Sequence, residues 1–374
     1  LKPKESKSSS SKDQEASKKV ESTKPTEKQS KGSKKQQNKP KKKGGKQPEH
    51  DHQRYVTTLR NHTNEVSHVE FSPCGNYLAS SSEDRTLLLY PMKTLLDSSH
   101  PHKRVNVQGD VPGRFCFSIN GTYILLSAQM MNQLYVYGVS SKGAKLLKEF
   151  KVSEHHKVPV NSVDFSSTLK YMMTCSSTDT VINLWDIKGN LIHSLRTNQL
   201  SNQMARFSPD GKFIGVATVS TELKLWEICE DKDGNFVSLE KSIKGGSSNG
   251  HKKTLTSLDF TSDGKKLVTG SEDGTWKLWN IDVDYKRDED AKCESTQSEP
   301  NGKVIEFVRI SPNNKRLLTI SGTTITLWNL QTGDIIDTIT NAHSRTITSI
   351  SWSRNSDLFA SSSEDGKVHI WKGD

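Results

Sequence analysis

The 374-residue chain lacks any run of 18 consecutive apolar residues, so nothing in it reads as a membrane-spanning helix. Its five cysteines (Cys74, Cys116, Cys175, Cys229, Cys293) are odd in number and widely spaced, and none forms a C-x-x-C pair. That pattern argues against a disulfide framework or a zinc site and suits a reducing compartment. The histidines are scattered, and neither metal nor cofactor is expected. Most of the chain also lacks a charge excess. Residues 1–50 hold 16 Lys against 6 acids and so carry the whole net charge of +10; residues 51–374 balance 37 basic against 37 acidic residues. The high pI is therefore no argument for a nucleic-acid-binding domain.

Residues 1–50 contain no aromatic residue, and their clearly apolar side chains are Leu1, Ala16 and Val20. Such a segment cannot bury enough surface to offset the entropy of ordering it. Residues 1–53 are read as a disordered Lys/Ser/Gln-rich linker, with a coil span of about 40 Å over fifty residues. The run Lys39-Pro40-Lys41-Lys42-Lys43 fits a solubilising linker, a weak contact with anionic lipid or RNA, or a nuclear import signal.

Residues 54–374 repeat one unit seven times. Each copy has an alternating run ending near an aromatic, a turn, a second β-rich run, another turn, and a third run ending in Trp or Tyr. The pattern is plainest in 66–90, 255–279 and 347–371 and weakest in 114–137 and 308–328. The first runs end at Phe71, Phe117, Phe165, Phe207, Phe260, Ile310 and Trp352; the third runs close at Tyr90, Tyr137, Trp185, Trp226, Trp279, Trp328 and Trp371. The two positions stand 18 to 20 residues apart in every copy, and the closing aromatics recur every 41 to 53 residues. That period fits a four-stranded propeller blade. Ser72-Pro73-Cys74-Gly75 and Ser208-Pro209-Asp210-Gly211 supply turn chemistry.

Trp185-Asp186, with Trp226-Glu227, Trp279-Asn280 and Trp328-Asn329 as variants, resembles the signature of the WD-repeat family. The resemblance covers 54–374 and implies an all-β, seven-bladed WD-repeat β-propeller after a disordered basic tail. It also implies that the strand-like run 55–59 pairs into the last blade and closes the ring, leaving no open sheet edge. Asp273-Gly274-Thr275-Trp276-Lys277-Leu278-Trp279 with Val283, Tyr285 and Lys286, Thr197-Asn198-Gln199, and Cys229 are similar to one branch of that family. That likeness implies a scaffold anchored to the endoplasmic reticulum, its propeller facing the cytosol and its partner a stress-sensing kinase acting on translation initiation. The anchor would lie upstream of Leu1; without one the expected location is cytoplasmic. The alternative is a soluble or nuclear adaptor of an RNA-processing or ubiquitin-ligase complex. Against a G-protein β subunit, residues 1–50 show no heptads; against a ligase receptor, Trp185-Asp186 is followed by Ile187 and Lys188, with no Arg.

His62 and Asp84, His251 and Asp273, and His343 and Asp365 are each 22 residues apart; His156 and Asp179 are 23 apart. Four repeats of one pair point to a structural bond rather than a hydrolase site, and the family implies the same: His, Asp, a Ser or Thr and the closing Trp pin one strand connection to a turn. Copies 2, 4 and 6 carry Met131, Ser220 and Gly322 where the Asp would stand, and less rigid blades are expected there. Gly246-Ser247-Ser248-Asn249-Gly250 matches G-x-S-x-G but sits in a polar loop, not at a strand-to-helix elbow. No enzyme and no small-molecule substrate are expected. In the family the His–Asp rim is the usual partner face. The residues before the Asp, namely Glu83, Thr178, Glu272 and Glu364, suggest an acidic rim suited to a basic protein segment. A monomeric propeller is expected. The tail should leave from the opposite rim, and residues 281–303 read as a polar mobile loop.

Overall fold

The computed structural model describes residues 50–230, 236–243, 250–283 and 289–374. Residues 1–49 of the linker, 244–249 of the G-x-S-x-G loop and 284–288 of the polar insertion lie outside the described residues.

Strand β1 (Tyr55–Leu59) comes first in the chain. Blade 1 follows as β2 (Val66–Phe71), β3 (Tyr77–Ser82), β4 (Thr86–Pro91) and β5 (Lys103–Asn106). Blade 2 is β6 (Pro112–Phe117), β7 (Tyr123–Ala128), β8 (Gln133–Ser140) and β9 (Gly143–Lys151). Blade 3 is β10 (Val160–Phe165), β11 (Tyr171–Ser176), β12 (Val181–Asp186) and β13 (Leu191–Arg196). Blade 4 is β14 (Asn202–Phe207), β15 (Phe213–Thr218), β16 (Leu223–Glu230) and β17 (Phe236–Ile243). Blade 5 is β18 (Leu255–Phe260), β19 (Lys266–Ser271), β20 (Thr275–Asn280) and β21 (Lys292–Ser298). Blade 6 is β22 (Phe307–Ile310), β23 (Arg316–Ser321), β24 (Thr324–Asn329) and β25 (Ile335–Ile339). Blade 7 is β26 (Ile347–Trp352), β27 (Leu358–Ser363) and β28 (Val368–Lys372), and β1 completes it, with Leu59 opposite Val368 and Thr58 opposite His369.

Both faces of a blade pack on a neighbour, which is why the middle strands are buried almost end to end, as in β4 (Thr86–Leu89 and Tyr90). Seven separate apolar clusters fill the seven gaps between blades. The gap between blades 7 and 1 holds Leu59, Val66, Val69, Leu88, Ala360 and Ile370; the gap between blades 5 and 6 holds Val268, Trp276, Leu278, Ile305, Val308 and Trp328. A fully buried aliphatic or aromatic side chain contributes about 1.5–3 kcal/mol, so each gap is a small core of its own. The inner strands β2, β6, β10, β14, β18, β22 and β26 contact one another in sequence and β26 contacts β2, closing the ring around a channel.

The turn after each inner strand needs one left-handed residue. Glycine serves in blades 1, 2, 4 and 5 (Gly75, Gly121, Gly211, Gly264), whereas Leu169, Asn314 and Ser356 take φ of 57°, 56° and 65° in blades 3, 6 and 7.

Three expectations need correction. Residues 281–303 are not one loop: Lys292–Ser298 is β21, the outer strand of blade 5, paired with β20. Its exposure alternates along Lys-Cys-Glu-Ser-Thr-Gln-Ser because it sits on the solvent side of the blade and carries no apolar face. The linker does not extend to 53. Arg54 Nε donates to Asp337 Oδ2 (2.5 Å), His52 Nε2 lies 3.4 Å from Asp337 Oδ1, and the His50 ring meets Trp371 edge-on at 5.0 Å. Nor does the chain before β1 head straight for the opposite rim. It turns at His52–Tyr55, and His50 Nε2 bonds Asn341 O, two residues before His343.

Candidate functional site

The four sequence-paired histidines are all brought onto their aspartates. Nδ1 faces Asp84 at 2.9 Å for His62 and Asp179 at 2.8 Å for His156. It faces Asp273 at 3.1 Å for His251 and Asp365 at 3.1 Å for His343. Nε2 faces the hydroxyl of Ser80, Thr174, Thr269 or Ser361 at 2.7–2.8 Å. In blades 3, 5 and 7 the closing indole N–H of Trp185, Trp279 or Trp371 donates to that same hydroxyl oxygen. Every donor therefore runs one way: indole to hydroxyl, hydroxyl to imidazole Nε2, imidazole Nδ1–H to carboxylate. The four hydroxyls, of Ser80, Thr174, Thr269 and Ser361, are fully buried, so the arrangement satisfies polar groups inside the blade and ties its strands together. Burial pushes the Asp84 carboxyl up, but bonds from His62, Thr86 and the Thr63 N–H outweigh it and hold it well below the usual range. Asp273 and Asp365 are depressed in the same way, while burial lowers His156 and His251 against the pull of their aspartates.

The other blades are not simply unpinned. In blade 6 buried Glu299 stands in for the histidine: Thr319 donates to its Oε1, Thr326 to its Oε2 at 3.1 Å, and Trp328 Nε1 donates to Thr319 Oγ1 at 2.8 Å. In blade 2 fully buried Asp110 takes the N–H groups of Met130 and Met131 at 2.7 and 2.9 Å, closing the same turn from below. Blade 4 has Val216 where the hydroxyl would be, and Thr197 instead donates to Asn202 Oδ1 at 2.8 Å.

The four rim residues lie on the turns that the aspartates hold, three of them exposed (Glu83, Thr178, Glu272) and Glu364 half-buried. The acids do not all stand alone. Arg345 bridges Glu364 at 3.2 Å and Glu65 at 2.5 Å, in a hollow of about 310 Å³ between blades 7 and 1 that Arg60 and Lys367 also line.

Sequence reasoning missed the mouth of the channel. Six of the seven inner strands slip register near their start, between Val66 and His68, Pro112 and Phe115, Val160 and Ser162, Asn202 and Met204, Leu255 and Ser257, and Ile347 and Ser349. A bulge re-aims one side chain. Here the residues at or beside the slip, Ser67, Arg114, Asn161, Gln203, Thr256 and Thr348, line a cavity of about 630 Å³ on the His-bearing side; Glu306 of blade 6 completes the ring. Arg114 is its floor. It crosses from blade 2 to reach His68 Nδ1 (3.1 Å) and Thr348 O (3.1 Å), and its guanidinium lies 5.4 Å from the Phe307 ring centre.

Below Arg114 the channel is lined by charges that alternate with blade number. The residues just before the first-run aromatics, Glu70, Asp164 and Asp259 on blades 1, 3 and 5, each accept the backbone N–H of the next blade, from Phe117, Phe207 and Ile310. Blades 4 and 6 put Arg206 and Arg309 at that position, and Arg206 pairs with Asp259. Burial pushes Glu70 up to about 7 despite nearby Arg206. Among the described residues no cluster of His, Cys, Asp and Glu has metal-binding geometry.

Residues 146–371, more than half of the chain, match the family described as Nucleolar protein 10-like, N-terminal domain, and residues 53–90 match the WD domain, G-beta repeat. The chain is 29% identical to Transducin beta-like protein 2 of Homo sapiens, over 80% of this chain and 68% of that protein. It is 29% identical to the protein of the same name from Mus musculus, over 76% of this chain and 64% of that protein. It thus spans about two thirds of the length of these relatives. U3 small nucleolar RNA-associated protein 12 of Saccharomyces cerevisiae is 32% identical over 34% of this chain and 12% of its own length. The ring of seven four-stranded blades and the match over 146–371 place one conclusion beyond the resemblance: the chain belongs to the WD-repeat β-propeller family, its residues 146–371 carrying the Nucleolar protein 10-like N-terminal domain pattern.

Proposed function

We propose that the chain is a non-enzymatic protein-interaction scaffold whose working surface is the channel mouth and the His–Asp rim around it. The mouth carries this reading: a cavity of about 630 Å³ with a bulge residue from nearly every blade turned into it. Its chemistry is neutral polar with one base (Arg114) and one acid (Glu306) on different blades, which suits a protein segment bearing complementary charges. Burial raises the Glu306 carboxyl, and a basic group arriving there acts in the opposite direction and favours its charged form. The likeness to Transducin beta-like protein 2 supports a station on the cytosolic face of the endoplasmic reticulum, in stress and translation-control signalling with a kinase partner.

The test is proximity labelling from the natural full-length protein beside a Gln203→Trp variant. Gln203 is exposed at the mouth, so an indole there blocks it without touching the core. Recovery of reticulum kinases and translation factors from the wild type, lost in the variant, is the expected outcome. Equal recovery from both overturns the mouth as the site. A second reading, an RNA-processing adaptor, draws on the nucleolar wording of two of the comparisons and on the Lys-rich residues 1–50. Recovery of nucleolar proteins in a soluble or nuclear fraction favours it and discards the reticulum station.

A further inference from the structure

We propose that the waist of the channel, beneath the mouth, is a binding site for a small inorganic anion of chloride to phosphate size, held between Arg114 and Arg309. The waist is a cavity of about 60 Å³ lined by His68, Glu70, Arg114, Arg206, Phe307 and Arg309 among others. A water needs about 10–15 Å³, so this volume holds an anion with little of its hydration shell. The two arginines are the unusual feature. Arg309 is buried, and it donates to the carbonyl of its neighbour Val308 (2.9 Å) and weakly to the Met204 sulfur. Arg114 donates to two carbonyls and to His68 Nδ1. Arg206 has Asp259, but among the described residues Arg114 and Arg309 form no ion pair. Burial alone pulls Arg114 down to about 10; burial, then Arg206 beside it, outweighs the pull of Asp259 and Glu70 and brings Arg309 down to about 9. A guanidinium stays charged at neutral pH, so Arg309 is a buried cation and Arg114 a half-buried one, and neither has an ion-pair partner among the described residues. An anion in the waist supplies that partner without moving the backbone.

Glu70 is the acid among the waist's lining residues, and it sets a pH dependence. It faces His68 on its own strand (Nε2 to Oε2, 3.4 Å), Cys116 from β6, Asp164 from β10, Arg206 from β14 and Arg309 from β22. His68 is pushed well below its ordinary value by burial, then by Arg114, and stays neutral near pH 7. Glu70 titrates at about 7. Above that pH its carboxylate repels the anion; below it the neutral acid does not. Anion affinity therefore rises as pH falls from 8 to 6.

The experiment has two arms. First, thermal unfolding of the full chain is followed in sodium chloride or sodium phosphate, against sodium gluconate at equal ionic strength, whose anion is too large for the waist. The expected result is a midpoint that rises with chloride or phosphate, more at pH 6 than at pH 8. In Glu70→Gln that rise no longer depends on pH, and in Arg309→Met it needs at least tenfold more anion. Second, crystals of the wild type are soaked in sodium bromide. An anomalous peak within hydrogen-bonding distance of the Arg309 guanidinium supports the site, and it does so whether or not the variants fold. Water alone in the waist at saturating bromide, or a midpoint that follows ionic strength and not anion identity, overturns it.

Discussion

The odd and even blades solve one problem with different chemistry. Blades 1, 3, 5 and 7 fasten the incoming loop with a buried imidazole, and in three of them a Trp–Thr/Ser–His–Asp chain satisfies each polar atom in turn. Blades 2 and 6 use a carboxylate, Asp110 or Glu299, and blade 4 keeps an apolar Val216 at the hydroxyl position. A partial alternation appears around the channel, where the position before each first-run landmark is acidic on blades 1, 3 and 5, arginine on blades 4 and 6, and Cys116 and Ser351 on blades 2 and 7. The lesson is that a seven-fold fold need not have a seven-fold chemistry. The apolar gaps repeat in every blade and build the ring; the polar positions vary and set what differs around it.

The largest effect should come from breaking an odd-blade relay at its shared atom. Thr269→Val keeps the shape of the side chain but removes the oxygen that serves both His251 and Trp279. Two buried groups lose a partner, at about 1–3 kcal/mol each, so a loss of about 3 kcal/mol is expected in denaturant unfolding. Blade 4 already lives with valine at the aligned position. A loss below about 1 kcal/mol would mean that odd blades are as tolerant as blade 4.

Glu70→Gln should come next, and its effect depends on pH. The folded-state value of about 7 lies above the ordinary glutamate value of 4.5, so the folded chain holds this proton more tightly than the unfolded one. That contribution is fully present below about 4.5 and is lost as pH rises through 7. Between pH 5 and 8 the wild type should lose up to about 3 kcal/mol relative to the variant. Parallel unfolding curves at both pH values would show that Glu70 is ionised throughout. Glu299→Leu should cost less, about 2 kcal/mol, because Thr319 and Thr326 lose an acceptor while Trp328 keeps Thr319. Hydrogen exchange should place that loss in blade 6; an unchanged blade 6 would deny Glu299 its role as the histidine's substitute.

How much of this was legible follows from burial. Inner and middle strands pack on both faces, so aromatics such as Phe165 and Trp185 recur at fixed spacing and can be counted. Outer strands such as β21 face solvent and carry no apolar period, so Lys292–Ser298 reads as loop. The His–Asp pairs were visible because the two residues keep one spacing; Glu299 and Asp110 were not, because they differ in type and offset from the histidines. The channel charges left a signal that could have been used. Glu70, Asp164, Arg206, Asp259 and Arg309 each sit one residue before a first-run landmark, and polar residues in a buried run need a reason. The bulges that aim Asn161 and Gln203 into the mouth are a matter of register, and register is not written in composition.

The smallest effect on stability should accompany the largest effect on function, at the rim. Glu83 and Glu272 are exposed, lie on blades 1 and 5, and form no ion pair among the described residues, unlike Glu364 with its Arg345. Reversing both to lysine should change unfolding free energy by no more than about 0.5 kcal/mol, since no buried group loses a partner. Asp84 and Asp273, one residue further on, remain buried against their histidines and still hold the turns in place. Any loss of a co-purifying partner in this variant then reports contact and not misfolding. If a basic partner segment uses the rim, its recovery falls in Glu83→Lys/Glu272→Lys and weakens further with salt. If recovery is unchanged while Gln203→Trp abolishes it, the odd-blade turns are only fasteners and the mouth alone is the working surface.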